Sequence, residues 1–297
     1  MSLAVDDRPP ILLEHLLELP DGRVVEWEAI GNGEPLLWIE GGPGLPAHLG
    51  RPDVGLLSDR FRGHLVNAPG CGRSSPPADY QLDTHVRYFD DVRGALGLGR
   101  VTVMGHSWGG LVALALALAM PESVKRLIVI DGYAGESSVP EAVAAAERER
   151  SFERVRTAAW FEPAIAAFTD ETPLPPREFD ARFERCWPLY FADPDTPVAR
   201  PHVERLQRET RWNLPASEAW STEPDLDLLP ELGAIHCPAL ILVGEHDFIC
   251  GPSWSRPIAD AIPGAVYAEI PDVGHMPQYK APDAFRRIVL DWLDATG

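Results

Sequence analysis

The chain alternates between short apolar runs that stop at glycine or proline and longer stretches in which apolar residues recur at helical spacing. Residues 11–19 and 24–30 flank Pro20-Asp21-Gly22, a turn composition that predicts an antiparallel hairpin. Residues 36–39 and 64–67 read as buried strands ending at Gly41-Gly42-Pro43-Gly44 and Ala68-Pro69-Gly70. Val86, Phe89, Val92 and Leu96 predict a helix punctuated by Gly97 and Gly99, and residues 101–104 predict the next strand. After Gly105 to Gly110 come a helical run, residues 111–120, closed by Pro121, and a further strand, residues 127–130. Strand, helix and strand in this order imply right-handed crossovers and a parallel sheet.

Past Asp131 the pattern changes to alanine-, glutamate- and arginine-rich helical stretches broken by proline-containing loops, which carry Trp160, Phe161, Trp187, Tyr190, Phe191, Trp212 and Trp220. No strand alternation occurs there, so residues 133–232 are expected to form a helical cap inserted into a core built from residues 1–132 and 233–297. Core packing is the ordinary job of each cap aromatic; Trp187 and Tyr190 are the candidates for lining a substrate cleft. The sheet pattern resumes at residues 239–243 and 266–270, with helical stretches at 254–261 and 282–293. The expected class is α/β, with a mostly parallel central sheet, helices on both faces and an inserted helical cap.

With 297 residues, 45% of them apolar, the chain can bury one large core or one core with an appended layer. The formal charge of −19 repels phosphate backbones and anionic membranes and biases encounter toward neutral or cationic small molecules. The expected partner is a small-molecule or short-peptide substrate, with neither nucleic acid nor membrane. No apolar run approaches the roughly eighteen residues of a spanning helix. The first ten residues lack the basic and apolar regions of a secretory signal, so a cytoplasmic location is expected. Cys71, Cys186, Cys237 and Cys250 are scattered without paired spacing and are expected to be reduced thiols.

The candidate chemistry sits where strands end. Gly105-x-Ser107-x-Gly109 falls between an apolar strand and a helix, the context in which a tight turn presents a serine hydroxyl above a sheet edge. A serine hydroxyl is a poor nucleophile until a base takes its proton, so a histidine and an orienting carboxylate must follow. Asp247, just past the strand at 239–243, and His275, just past the strand at 266–270, supply them in the order serine, acid, histidine. His15, His64, His85, His106, His202 and His236 occupy positions that read as structural or exposed. Asp131, at the end of the preceding strand, is the rival carboxylate, and Asp272 reads as a loop hydrogen-bonding residue. The main-chain amides of Trp108 and Gly42 are placed to receive an oxyanion. No metal-ligand spacing is visible around His246 and Asp247, and no cofactor is expected.

On these motifs the chain resembles the α/β-hydrolases, and within them the proline iminopeptidase branch of serine peptidases. Gly41-Gly42-Pro43-Gly44 is similar to that branch's glycine-proline loop, Asn67 to Ser74 to its following loop, and Gly105 to Gly110 to its nucleophile turn. Asp247 and His275 align with its acid and base. Glu40 stands where histidine usually precedes the glycine loop, and Phe248 follows the acid. The resemblance implies an aminopeptidase acting through an acyl-enzyme, and such an enzyme needs carboxylates near the cleft, for which Glu40, Glu184 and Asp193 are candidates. The same triad would serve an esterase, lactonase or amidase on a small neutral substrate, or a carbon–carbon bond hydrolase. A binding protein on a hydrolase scaffold is the non-enzymatic alternative. Relatives with dehalogenase or epoxide hydrolase chemistry use aspartate where this chain has Ser107.

Overall fold

Strands buried on both faces read as continuous apolar runs, and the centre of this sheet is made of such strands. The computed structural model describes residues 15–219 and 225–296; residues 11–14 of the expected first strand, and Trp220, lie outside the described residues. In chain order, β1 (His15–Glu18), β2 (Val24–Ile30) and β3 (Glu34–Ile39) precede the short helix α1 (Arg51–Gly55) and β4 (Phe61–Val66). Then come α2 (Leu82–Ala95), β5 (Val101–His106), α3 (Trp108–Ala119) and β6 (Val124–Ile130). Helices α4 (Glu141–Glu153), α5 (Phe161–Phe168), α6 (Pro176–Phe183), α7 (Arg200–Glu209) and α8 (Leu214–Ala219) separate β6 from β7 (Ala239–Gly244). The chain finishes with α9 (Pro252–Ala261), β8 (Val266–Ile270), α10 (Pro277–Lys280) and α11 (Pro282–Thr296).

The strands form one 8-stranded sheet in the order β1-β2-β4-β3-β5-β6-β7-β8. Only β1 with β2 and β2 with β4 pair antiparallel; every other neighbouring pair is parallel. Successive side chains of one strand point to opposite faces, and both faces are covered. Leu37, Ile39, Val103, Leu127, Val129 and Ile241 pack with α2, α3 and α9. Leu36, Trp38, Met104, Ile128, Leu240 and Leu242 pack with Val54 of α1 and with Phe285 and Val289 of α11. Helix α3 is apolar nearly all round, because the sheet lies beneath it and α2 beside it.

The helices between β6 and β7 build a third apolar cluster, in which Phe161, Trp187, Tyr190, Phe191 and Leu206 meet Leu45, Leu49, Phe248, Met276 and Tyr279 of the loops above the sheet. The expected cap boundary between residues 232 and 233 falls inside the 3-10 helix Leu229–Ala234. Leu228 and Leu232 of this stretch pack in the sheet cluster with Ile258 and Ala239. All four cysteines are free thiols. Among the described residues no helix is long and apolar enough to cross a membrane.

Phe285 is fully buried between α11 and the sheet. Phe285→Ala is expected to lower unfolding free energy by about 3–5 kcal/mol, measured by urea denaturation, through lost transfer energy and the cavity left behind.

Candidate active site

A helix separated from a strand by a single residue forces an unusual backbone at the joint. Ser107 sits there, between β5 and α3, at φ 54 and ψ −123, a conformation that side chains rarely adopt. Its amide donates to the Ile130 carbonyl at 2.9 Å and its carbonyl accepts from Gly110 at 2.8 Å, so the strain is held from both sides. The flanking glycines are required: a Cβ on Gly105 would overlap the Gly109 carbonyl, and one on Gly109 would overlap the Ile39 carbonyl of β3. Ser107 and His275 both line a cavity of about 200 Å³.

His275 lies in the loop after β8, and its Nδ1–H donates to Asp247 Oδ2 at 2.7 Å. Nδ1 being engaged leaves Nε2 as the free ring nitrogen. The other Asp247 oxygen accepts from the Ile249 amide at 2.8 Å, which fixes the carboxylate in the loop after β7. Asp131, the rival acid, is fully buried at the end of β6, with Oδ1 accepting from the Gly244 amide at 2.8 Å. Burial, with the Asp247 carboxylate beside it, holds the Asp131 carboxyl well above the usual carboxylate range. Its neutral form is thereby favoured beside the Asp247–His275 pair.

Oxygen and nitrogen atoms of Asp131, Asp247 and His275 lie within 4.8 Å of one another, close enough to hold a cation, a grouping that sequence spacing alone does not reveal. Within the group His275 Nδ1 pairs with Asp247 Oδ2, while Asp131 Oδ2 has no hydrogen-bond partner. A second acidic group, Glu245, His246 and Asp272, is exposed or half-exposed, and Arg154 already pairs with Asp272 at 2.9 Å.

The loop after β3 approaches the serine from the other side. Gly42 has φ 122, a backbone that glycine adopts without penalty. Among the described residues neither the Gly42 nor the Trp108 amide donates to a protein acceptor. Trp108 is the first residue of α3, so its amide also carries the positive end of the helix dipole. Glu40 is buried on the cavity wall; Oε1 accepts from the Gly41 amide at 2.8 Å and Oε2 from the Trp38 indole at 3.2 Å. Burial pushes its carboxyl up to about 7 despite these donors.

Residues 32–282 match the family described as alpha/beta hydrolase fold. The chain belongs to this family. A Caulobacter sp. (strain K31) protein provisionally named a carbamate hydrolase is 31% identical over 254 residues, spanning 82% of this chain and 84% of its own length. The proline iminopeptidase of Lactobacillus delbrueckii subsp. bulgaricus is 26% identical over 279 residues, spanning 87% and 89%. Among solved structures, an alpha/beta fold family hydrolase from Bacillus anthracis str. Sterne superimposes with a TM-score of 0.74 at 22% identity, over 95% of this chain and 99% of that one. The α/β-hydrolase fold and the family resemblance expected from the motifs are both confirmed.

Within this alpha/beta hydrolase the other sequence candidates separate clearly. Trp187 and Tyr190 both line the cavity, and the Tyr190 ring stands 5.5 Å from the His275 ring. Glu184 lies outside it on the surface, and Asp193 is exposed, so neither reaches the serine. His106 is buried, not merely adjacent to the serine: its Nε2 bonds the His275 carbonyl at 2.9 Å and so ties the histidine loop to β5. Burial, with His275 close by, pushes the His106 imidazole down to about 3, so it is neutral. Asp53 and Gln278, which also line the cavity, carry no sequence signal: Asp53 reads as an ordinary acid in the first turn of α1.

The raised Asp131 carboxyl has a measurable consequence. The folded chain keeps a proton that the unfolded chain loses near pH 4, so this group's contribution to stability declines as pH rises above about 4. Asp131→Asn has no such proton to lose. Its stability relative to wild type should rise as pH increases above about 4 in urea unfolding; a difference that stays constant would show an ordinary carboxyl.

Proposed function

We propose that this protein is a serine hydrolase acting through an acyl-enzyme, with Ser107 as nucleophile, His275 as general base and Asp247 as the orienting carboxylate. The observation that carries this reading is the 2.7 Å bond from His275 to Asp247, with His275 and the strained Ser107 lining the same cavity. In the first step Ser107 Oγ bonds to the substrate carbonyl carbon while its proton passes to His275 Nε2. The oxyanion is received by the amides of Gly42 and Trp108, and collapse expels the leaving group with the proton from His275. Water then repeats the sequence on the acyl-enzyme and regenerates Ser107.

Residues 133–232 act as the cap in this reading. They supply Phe168, Phe183, Trp187, Tyr190 and Trp212 to the cavity. Ser107 and Gly42 also line a second cavity of about 270 Å³ that includes Glu136, Glu141 and Arg148, so the scissile bond sits where two spaces meet. The substrate is a small molecule or short peptide, and the activity is a proline iminopeptidase-like aminopeptidase. Support comes from the glycine-proline loop, the 26% identical proline iminopeptidase and the buried carboxyl of Glu40 on the cavity wall. An esterase, lactonase or amidase acting on a small neutral substrate is the second reading, favoured by the aromatic lining of the cavity. A cytoplasmic site of action accompanies either reading.

The test is hydrolysis of a prolyl arylamide, an alanyl arylamide, an acyl ester and a lactone by wild type and by Ser107→Ala. Turnover of at least one substrate is expected to fall by roughly 10⁶-fold in kcat in the variant. Prolyl release selects the aminopeptidase; ester or lactone turnover without arylamide turnover selects the second reading. Turnover undiminished in Ser107→Ala would remove the serine mechanism.

A further inference from the structure

A glycine-rich loop has few side chains to pack and the widest choice of backbone conformations, so it keeps one shape only where bonds from its surroundings hold it. Two such bonds bracket Gly42. On one side Glu40 Oε1 accepts from the Gly41 amide at 2.8 Å. On the other the Gly44 carbonyl accepts from the Asn213 amide at 2.9 Å. Asn213 stands immediately before α8, so this second bond crosses from the segment between β6 and β7 to the loop after β3.

Asn213 is half-buried and is itself held from several sides. Its carbonyl accepts from the Ser217 amide at 3.2 Å, which makes it the N-cap residue of α8. Its side-chain Nδ2 donates to the Tyr80 hydroxyl at 3.3 Å and to the Pro69 carbonyl at 3.5 Å. A Cβ on Gly44 would stand 2.6 Å from the Asn213 carbonyl oxygen, and one on Gly70 would stand 2.6 Å from Nδ2. The glycine-proline loop and the loop after β4 therefore both close on this one residue. The residue before it, Trp212, lines the cavity that Ser107 lines, and the Trp212 amide donates to Asp180 Oδ1 of α6 at 3.0 Å. Of two consecutive residues, one borders the space a substrate fills and the next holds the loop that carries Gly42.

We propose that Asn213 is a positioning residue for the oxyanion hole: its amide, anchored through its side chain, holds the glycine-proline loop so that the Gly42 amide faces the oxyanion formed at Ser107. This rests on the reading of Ser107 as nucleophile and of Gly42 as oxyanion donor. Asn213 is not among the residues lining either cavity that Ser107 borders, so it acts through the loop and not on the substrate. A donor aimed at the oxyanion is used fully only in the transition state, so displacing it lowers kcat and leaves ground-state binding in place. Outright loss of such a donor costs about 10²–10³ in kcat, and a misplacement of about 1 Å costs about 10². Loosening one of the two brackets should cost about tenfold or more.

The experiment compares wild type with Asn213→Ala, which removes the side-chain anchor, and Asn213→Pro, which also removes the amide hydrogen. Hydrolysis of p-nitrophenyl acetate is measured per active site, counted from the burst of nitrophenol. Phenylboronic acid takes Ser107 Oγ onto boron, passes the serine proton to His275 and places a hydroxyl of the resulting anion in the oxyanion hole; benzyl alcohol reports the cavity alone. In Asn213→Pro kcat should fall at least about tenfold with KM within about twofold, and in Asn213→Ala at least about threefold. Phenylboronic acid should weaken in parallel while benzyl alcohol binds as before. An unchanged kcat in Asn213→Ala, or boronate and alcohol weakened by the same factor as damage to the cavity would produce, would overturn the proposal even if Asn213→Pro fails to fold. Hydrogen exchange over residues 41–45 tests the clamp without any turnover: it should quicken at least about tenfold in Asn213→Ala, and exchange equal to wild type would overturn it. Ester hydrolysis that survives Ser107→Ala would remove the nucleophile reading instead, with hydrogen exchange still deciding whether Asn213 holds the loop.

Discussion

The site depends on backbone packed against backbone at the end of β5. Strand, turn and helix succeed one another within a few residues there, and the Gly105 and Gly109 positions leave no room for a side chain between the turn and the carbonyls of Gly109 and Ile39. That contact holds Ser107 at positive φ, leaves the Trp108 amide unpaired at the start of α3, and brings the loop after β3 against the serine. None of these features would survive a small displacement of α3 over the sheet. The apolar face of the helix, buried against Val103, Leu127 and Val129, prevents that displacement.

Four carboxyl groups lie buried at this sheet edge, and their environments give them different properties. Asp247 accepts from an imidazole and from a backbone amide, which is the arrangement an orienting anion needs. Asp131, one strand away, has one amide donor and the Asp247 carboxylate as a neighbour, and burial with that neighbour holds its carboxyl well above the usual range. Glu40 receives two donors and pins Gly41 at the entrance to the glycine loop. Asp53 receives none from its surroundings. Residue type does not separate these roles; the kind of donor and the neighbouring charges facing each oxygen do.

The helices between β6 and β7 supply part of the lining of the cavity above the sheet edge. Their aromatic residues pack on one another, as in the Phe183–Trp187 and Phe183–Trp212 pairs, and on Phe248 and Tyr279 of the core. Trp187 and Tyr190 belong both to this cluster and to the lining of the cavity.

Much of this was legible along the chain. Continuous apolar runs marked the parallel strands, helical spacing marked α2 and α3, and the glycines around Ser107 marked the joint, since each signal is local and depends on periodicity or on backbone freedom. The positions of Asp247 and His275 were readable too, because residues just past parallel strands converge on one edge whatever lies between them in sequence. Partnership was not readable. Which of Asp131 and Asp247 meets His275, whether His106 is exposed or braces the histidine loop, and that Asp53 turns inward unpaired while Glu184 stays at the surface are all set by long-range packing. Sequence spacing fixes neither the dielectric nor the donors around a side chain; only the assembled sheet edge and the helices above it decide both.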